Sequence, residues 1–403
     1  MDRKPLIDIF CRVLDNYGDA GVTLRLAKAL SAYRPDLELR IVTDDVPVFA
    51  RLFPGLRPNA DLQTAGGWTV IRWNRPWEGF AKRRARAVIE TFACGFPDHY
   101  TRILFDPEDP APRQIVNLEY LTAEPYAEEF HLLPSLTPVP QVRKHFFLPG
   151  FTPDTGGLIL DPAYIALKHR LSDRQDTGGR DRSGERARER LRISRELGLP
   201  ASVSGGRDSE RFRIMLFSYP RDFTPLVETL AAWDRGVEVI AAEGQAADKF
   251  FGAWTDAGRP FPAYRIPFVS QADFDRLILT SDFLVVRGEE SLARACLSGI
   301  PFVWHAYPLE DGFQRVKVEA LLARLEPYMN DRSAFEPLRS LWHLFNGAPD
   351  RGAAESESWR TVLDSSGLLS RGFAGFSQNL ESAGDITVRL LDFFSGFLYT
   401  AGT

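Results

Sequence analysis

Apolar residues recur along this chain with two different periods, and the two alternate. Residues 6–14 are a short run rich in Leu, Ile, Phe and Val, the pattern of a buried strand. Residues 22–30 repeat apolar side chains at helical spacing, with Val22, Leu26, Ala27 and Leu30 on one face. Between them, residues 15–21 hold two glycines, which let the backbone turn tightly, and two acids, Asp15 and Asp19. Further strand patterns follow at 37–43, 68–73, 87–93 and 114–118, with a short helix begun by Asp45 and Pro47. A Pro- and Gly-rich stretch, 144–157, closes this half as an irregular loop. A second series has strands at 212–218, 237–242, 263–269, 283–286 and 301–304. Its helices fall at 224–233, 270–279, 292–298 and 312–325. Ser270 and Asp273 form a capping-box-like pair, and Gly299 ends the third helix. Residues 387–399 are apolar at helical spacing and are expected to pack on the body.

Strands alternating with helices predict an α/β fold with parallel, doubly wound sheets. Residues 172–208 break the pattern: they are polar and apolar-poor, with one short charged helix at 186–197. They read as a solvated linker or insertion. The expected organisation is a first domain at 1–171, a polar linker at 172–210, a second domain at 211–375 and a C-terminal helix within 376–403. A length of 403 residues fits two domains better than one.

Composition narrows the function. A net charge of −5 argues against sequence-independent nucleic-acid binding as the main activity. Cys11, Cys94 and Cys296 are far apart with no C-x-x-C pair, and the six histidines show no ligand spacing, so no disulfide framework and no metal are expected. No G-x-G-x-x-G follows the first strand and no P-loop is present, which disfavours nicotinamide and P-loop chemistry. No signal-peptide pattern and no membrane-length apolar run of about 20 residues occur, so the cytoplasm is the expected location.

In open α/β sheets, ligands bind beyond the carboxyl ends of the strands. That singles out two loops. Loop 15–21 carries Asp15 and Asp19, which helix capping and turn formation explain as readily as chemistry. Loop 287–291 reads Arg287-Gly288-Glu289-Glu290-Ser291, a strand end, a glycine turn and a helix start. Free N–H groups there favour a phosphate or diphosphate, with Arg287 adding positive charge and Ser291 a hydroxyl. Aromatics gather at the same ends: Phe217, Tyr219, Phe268, Phe274 and Tyr307. Flat rings of this kind can hold a base. Asp273-Phe274-Asp275 resembles a metal-binding D-x-D, but its place in a first helical turn fits capping.

Four longer runs occur together in order. They are residues 8–22, Asn117-Leu118-Glu119-Tyr120-Leu121, residues 147–158, and Val286-Arg287-Gly288-Glu289-Glu290-Ser291. Together they resemble the EarP family, protein-arginine rhamnosyltransferases that act on bacterial translation elongation factor P. The resemblance runs from residue 6 to the C-terminal helix and is broken mainly by the polar insertion. It implies a GT-B glycosyltransferase, inverting and metal-independent, with two Rossmann-like domains facing a central cleft. The first would bind the acceptor and the second the nucleotide sugar. The donor would be dTDP-β-L-rhamnose, with no other cofactor, and the acceptor one arginine of elongation factor P.

The same resemblance implies that Asp15, Asp19 and Glu289 are the catalytic acids. Of these, Asp19 is expected to be the base because it lies beside a helix N-terminus that stabilises its charged form, Asp15 to orient the acceptor, and Glu289 to hold the guanidinium after domain closure. It implies donor contacts at Phe217, Tyr219, Phe268, Gln271, Phe274 and the 287–291 run; Asn16, Tyr17, Gly18, Val269 and Ser270 complete the candidate donor set. Three departures stand out: Glu290 where an Asp is usual, Ser218 and Pro220 beside Tyr219, and the long linker. The rival readings are a GT-B transferase with a small-molecule or lipid acceptor and a non-catalytic sugar-nucleotide-binding module.

Overall fold

Strand β1 (Leu6–Cys11) is buried at every position, as its apolar residues must be when both faces of a sheet are covered. In the computed structural model the described residues are 4–14, 17–172, 184–200, 211–309, 312–347 and 352–398. The chain divides into two compact units, 1–162 with 383–403, and 163–382.

The first unit is built on an eight-stranded sheet. Its other strands are β2 (Glu38–Thr43), β3 (Leu62–Ala65), β4 (Trp68–Arg72), β5 (Ala87–Thr91), β6 (Arg113–Leu118), β7 (Pro134–Ser135) and β8 (Val142–Phe147). The order is β3-β4-β2-β1-β5-β6-β8-β7, with only the β3/β4 and β7/β8 edge pairs antiparallel. The chain steps outward from β1 through β2 to β4 and then returns to β5. The order therefore reverses between β1 and β5, where ligand crevices form. Asp8, fully buried in β1, is matched by Arg40 of β2, whose fork reaches its two oxygens at 2.5 and 2.6 Å; the Tyr100 hydroxyl adds a bond of 2.7 Å. A charge so deep is tolerable because every part of it is paired.

Helix Ile386–Leu398 completes this unit. Phe393 packs edge-on against His145 at 5.3 Å, and Leu158 forms a parallel bridge with Asp385. The tail thus packs on the sheet. Helix Ser366–Ala383 instead belongs almost wholly to the second unit, so the change of unit lies at 382/383 rather than at 376.

The second unit holds a five-stranded parallel sheet of β9 (Phe212–Leu216), β10 (Val237–Ala242), β11 (Ala263–Ile266), β12 (Phe283–Arg287) and β13 (Phe302–His305). Its order is β11-β10-β9-β12-β13, which reverses between β9 and β12. Helix Pro162–Leu171, expected in the first domain, packs here: the Tyr164 hydroxyl donates to the Arg294 carbonyl at 2.7 Å.

The polar insertion needs a larger correction. Its charged helix, Glu185–Glu196, is part of the second unit, with Glu189, Arg190, Ile193 and Ser194 buried. Arg190 pairs with Glu238 and Asp282, both at 2.9 Å; Arg213 reaches Glu238 at 2.7 Å and the Ser194 hydroxyl at 2.9 Å. Arg276 binds Glu189 at 2.5 Å. The helix reads as solvated because its buried face is itself polar, and its partners lie on β9, β10 and beyond. The flanking segments 173–183 and 201–210 of the expected linker lie outside the described residues. Among the described residues no helix is long and apolar enough to cross a membrane.

Candidate active site

In the first unit the chain leaves β1 at the reversal point and enters helix Gly18–Tyr33. Tyr17 takes the N-cap position without a side-chain cap bond, and its ring lies 5.4 Å from the Arg51 guanidinium. Gly18 opens the helix and is half-buried. Asp19 is not the cap. It sits one residue inside the helix, is 1% exposed, and folds back over the preceding loop. One carboxylate oxygen accepts from the Leu14 N–H at 2.7 Å and the other from the Tyr120 hydroxyl at 3.1 Å. Asp44, at the end of β2, holds the same loop by accepting from the Val13 N–H at 2.9 Å. Asp15 and Asn16 lie outside the described residues. Cys11 and Cys94 stand at this end of the sheet, but burial pushes the Cys11 thiol up to about 12 and the Cys94 thiol up as well. Neither is a thiolate near neutral pH.

In the second unit β9 and β12 end side by side at the reversal point. Arg287, the last residue of β12, sits between two rings, 4.7 Å from Phe217 and 4.8 Å from Tyr219. Phe274 packs edge-on against Phe217 at 5.3 Å, and Tyr307, 55% exposed, packs edge-on against Tyr219 at 5.5 Å. Four of the expected donor residues are therefore one cluster. Among the described residues Arg287 makes no ion pair, so its charge is not neutralised there by a carboxylate. Gly288 has φ +62°, a conformation that favours glycine and turns the chain into helix Glu290–Ser298. Its carbonyl accepts from the Trp304 indole at 2.9 Å.

Glu289 occupies the N-cap of that helix but makes no side-chain cap bond. Glu290 lies 3.9 Å from Arg294 in the first turn. Ser291 differs from expectation: its hydroxyl donates to the Arg287 carbonyl, a bond within its own turn. What it offers a ligand is its backbone N–H, one of the first-turn donors. Ser270 does cap helix Gln271–Leu279, accepting from the Asp273 N–H at 3.2 Å and donating to the Asp273 carboxylate at 2.8 Å. That reciprocal pair accounts for Asp273 without a metal. Gln271 is buried at the same helix start, and Phe268 and Val269 are half-buried in the loop leading to it.

Sequence reasoning gave no role to Tyr120 or Asp44, which hold Asp19 and its loop, or to His305, whose Nδ1 lies 2.8 Å from the Ser218 hydroxyl beneath Tyr219. The Asn117–Leu121 run was visible as a motif, but nothing in its spacing links it to a residue a hundred positions earlier.

Two Rossmann-like sheets, each with candidate residues at its reversal point, are the architecture of the GT-B class, in which glycosyltransferases are built. Residues 7–395 match the family described as Elongation-Factor P (EF-P) rhamnosyltransferase EarP. A protein-arginine rhamnosyltransferase from Pseudomonas putida is 35% identical over 371 residues, covering 89% of this chain and 90% of the relative. One from Pseudomonas aeruginosa is 31% identical, covering 97% and 99%. Among solved structures, one described as the structural basis for EarP-mediated arginine glycosylation of translation elongation factor EF-P matches with a TM-score of 0.60 at 22% identity, over 98% of this chain and 99% of that one. The chain belongs to the EarP family of protein-arginine rhamnosyltransferases and is an enzyme.

Proposed function

We propose that this enzyme transfers L-rhamnose from dTDP-β-L-rhamnose to an arginine of translation elongation factor P, with inversion at the anomeric carbon, without a metal and in the cytoplasm. The observation that carries the donor half is Arg287, held between Phe217 and Tyr219 at the start of helix Glu290–Ser298. A guanidinium beside free first-turn N–H groups suits a diphosphate, and it can stabilise the leaving dTDP as the glycosidic C–O bond breaks. The neighbouring rings offer faces and edges for a base.

The acceptor half rests on the carboxylates. An arginine side chain is protonated in water and is a poor nucleophile until a proton leaves it. A carboxylate with an ordinary pKa of about 4 cannot remove that proton in advance. It can orient the guanidinium and accept the proton as the new C–N bond forms. Asp19 is assigned that role. Asp15 is assigned to orienting the acceptor and Glu289 to holding the guanidinium and its developing charge.

The decisive experiment incubates the enzyme with dTDP-rhamnose, with and without elongation factor P. Mass spectrometry should show one added rhamnose on an arginine, and NMR an α linkage. Donor consumption that is indifferent to the protein acceptor would sink the acceptor assignment. Two narrower outcomes are expected. Phe274→Ala should weaken dTDP binding by roughly 1–3 kcal/mol if its ring contacts the base, read by calorimetry; unchanged affinity would make the ring core packing. EDTA should leave the transfer rate unchanged, and a rate restored only by added Mg²⁺ or Mn²⁺ would refute the metal-free account.

A further inference from the structure

The run Asn117-Leu118-Glu119-Tyr120-Leu121 has no part in the roles assigned above, yet it converges on Asp19. Tyr120 donates its hydroxyl to the Asp19 carboxylate at 3.1 Å. The Tyr120 ring lies flat on Phe92, with centroids 4.2 Å apart and planes 8° from parallel. Phe92 and Ala93 follow β5 with φ of +56° and +52°. Non-glycine residues rarely enter this region, and two in succession are rarer still. The run itself fixes that turn. The Phe92 N–H donates to the Leu118 carbonyl at 2.7 Å and the Ala93 N–H to the Asn117 side-chain oxygen at 3.0 Å. The Asn117 amide in turn donates to Glu119 at 2.5 Å, and the Gly95 N–H donates to Glu90 at 2.7 Å.

Such a backbone persists only where its surroundings over-determine it, and such sites concentrate where geometry matters for function. Here the strained turn ends at the crevice where β1 and β5 diverge, and its one aromatic side chain supports one tyrosine. We infer that Tyr120 is a positioning residue for Asp19, and that the Phe92–Ala93 turn serves to fix the Tyr120 ring. The inference rests on the proposed role of Asp19 as the base. With the Leu14 N–H on one oxygen and the Tyr120 hydroxyl on the other, the buried carboxylate cannot rotate without losing a donor. These two donors help set where the carboxylate points.

The test is a double-mutant cycle on the full-length enzyme, with elongation factor P and dTDP-rhamnose as substrates. Tyr120→Phe keeps the ring and removes only the hydroxyl. Its kcat should fall about 10-fold while both KM values stay within about 2-fold, since the hydroxyl orients the base and binds neither substrate. Phe92→Leu, which removes the stacked ring and keeps the hydroxyl, should lower kcat with the same split, and it serves as the readout if Tyr120→Phe folds poorly. In the Asp19→Asn background, Tyr120→Phe should change turnover by less than about 2-fold, because there is no base left to position. An unchanged kcat in both single variants, or a full further loss in the double variant, overturns the positioning inference and leaves the base assignment standing. Full activity of Asp19→Asn alone overturns both.

Discussion

Arg190→Ala is expected to melt the second unit roughly 6–12 °C below the wild-type enzyme. The side chain of Arg190 is 4% exposed and lies between Glu238, 2% exposed, and Asp282. Burial alone would pull its pKa down, but Asp282 and Glu238 more than reverse that and hold it above its ordinary range. Arg213, which shares Glu238, is lowered by burial and by the charge of Arg190. Breaking a buried pair costs about 3–5 kcal/mol because it strands a charge. Here Arg213 stays on Glu238 and Arg186 stays on Asp282 at 2.9 Å, and loss of Arg190 relieves the strain on Arg213. The lower end of that range, about 3 kcal/mol, is therefore the expectation. Arg192→Ala is the control: its side chain is 60% exposed and its contacts to Glu189 and Glu196 are long, at 3.4 and 3.5 Å, so a change within about 0.5 kcal/mol should follow. Thermal melts followed by loss of dTDP binding report the second unit. Equal melting of the two variants would return Glu185–Glu196 to the status of a solvated linker.

That helix shows where reading the sequence reached its limit. Its buried residues at 189, 190, 193 and 194 do form one helical face, but the face is Glu-Arg-Ile-Ser, and a hydrophobic template scores it as exposed. Only the opposite charges of Glu238 on β10, Asp282 before β12 and Arg276 make it a core face, and Arg190 and Glu238 are 48 residues apart. The strands were legible for the opposite reason: β1, β5, β6, β9 and β12 each carry Ile, Val, Leu or Phe residues whose burial does not depend on a particular partner. The pattern carried β5 two residues too far. Phe92 and Ala93 suit a strand by composition, and nothing in their chemistry announces a positive φ. The Arg287–Ser291 turn was legible because Gly288 is required where the chain bends and Gly299 where the helix ends, at φ +73°. The role of Asp19 was half legible. An acid before a helix suggests a cap, but the helix begins two residues before the sequence pattern would put it if Asp19 capped it, and the carboxylate turns back to Leu14.

Asp19→Asn should reduce rhamnose transfer by about 10²–10⁴ while donor affinity and folding stay nearly intact. Asparagine preserves the shape and one acceptor oxygen. That oxygen can keep the Leu14 N–H, and the new amide N–H groups can donate to the Tyr120 hydroxyl oxygen once that rotor turns. The change then exchanges one bond to a charged group for a neutral one, at about 1 kcal/mol of stability. What the variant loses is basicity: an amide cannot take the guanidinium proton as the C–N bond forms, so the positive charge has no acceptor at the moment it must leave. Donor binding, proposed to rest on Phe217, Tyr219, Phe274 and the Arg287 turn, all in the second unit, should not move. Calorimetry with dTDP-rhamnose, a thermal melt and mass spectrometry of elongation factor P read the three quantities separately. Normal transfer would remove Asp19 as the base. Lost donor binding with a normal melt would make Asp19 a donor contact instead, and Glu289, the acid at the start of helix Glu290–Ser298, would become the group to test next.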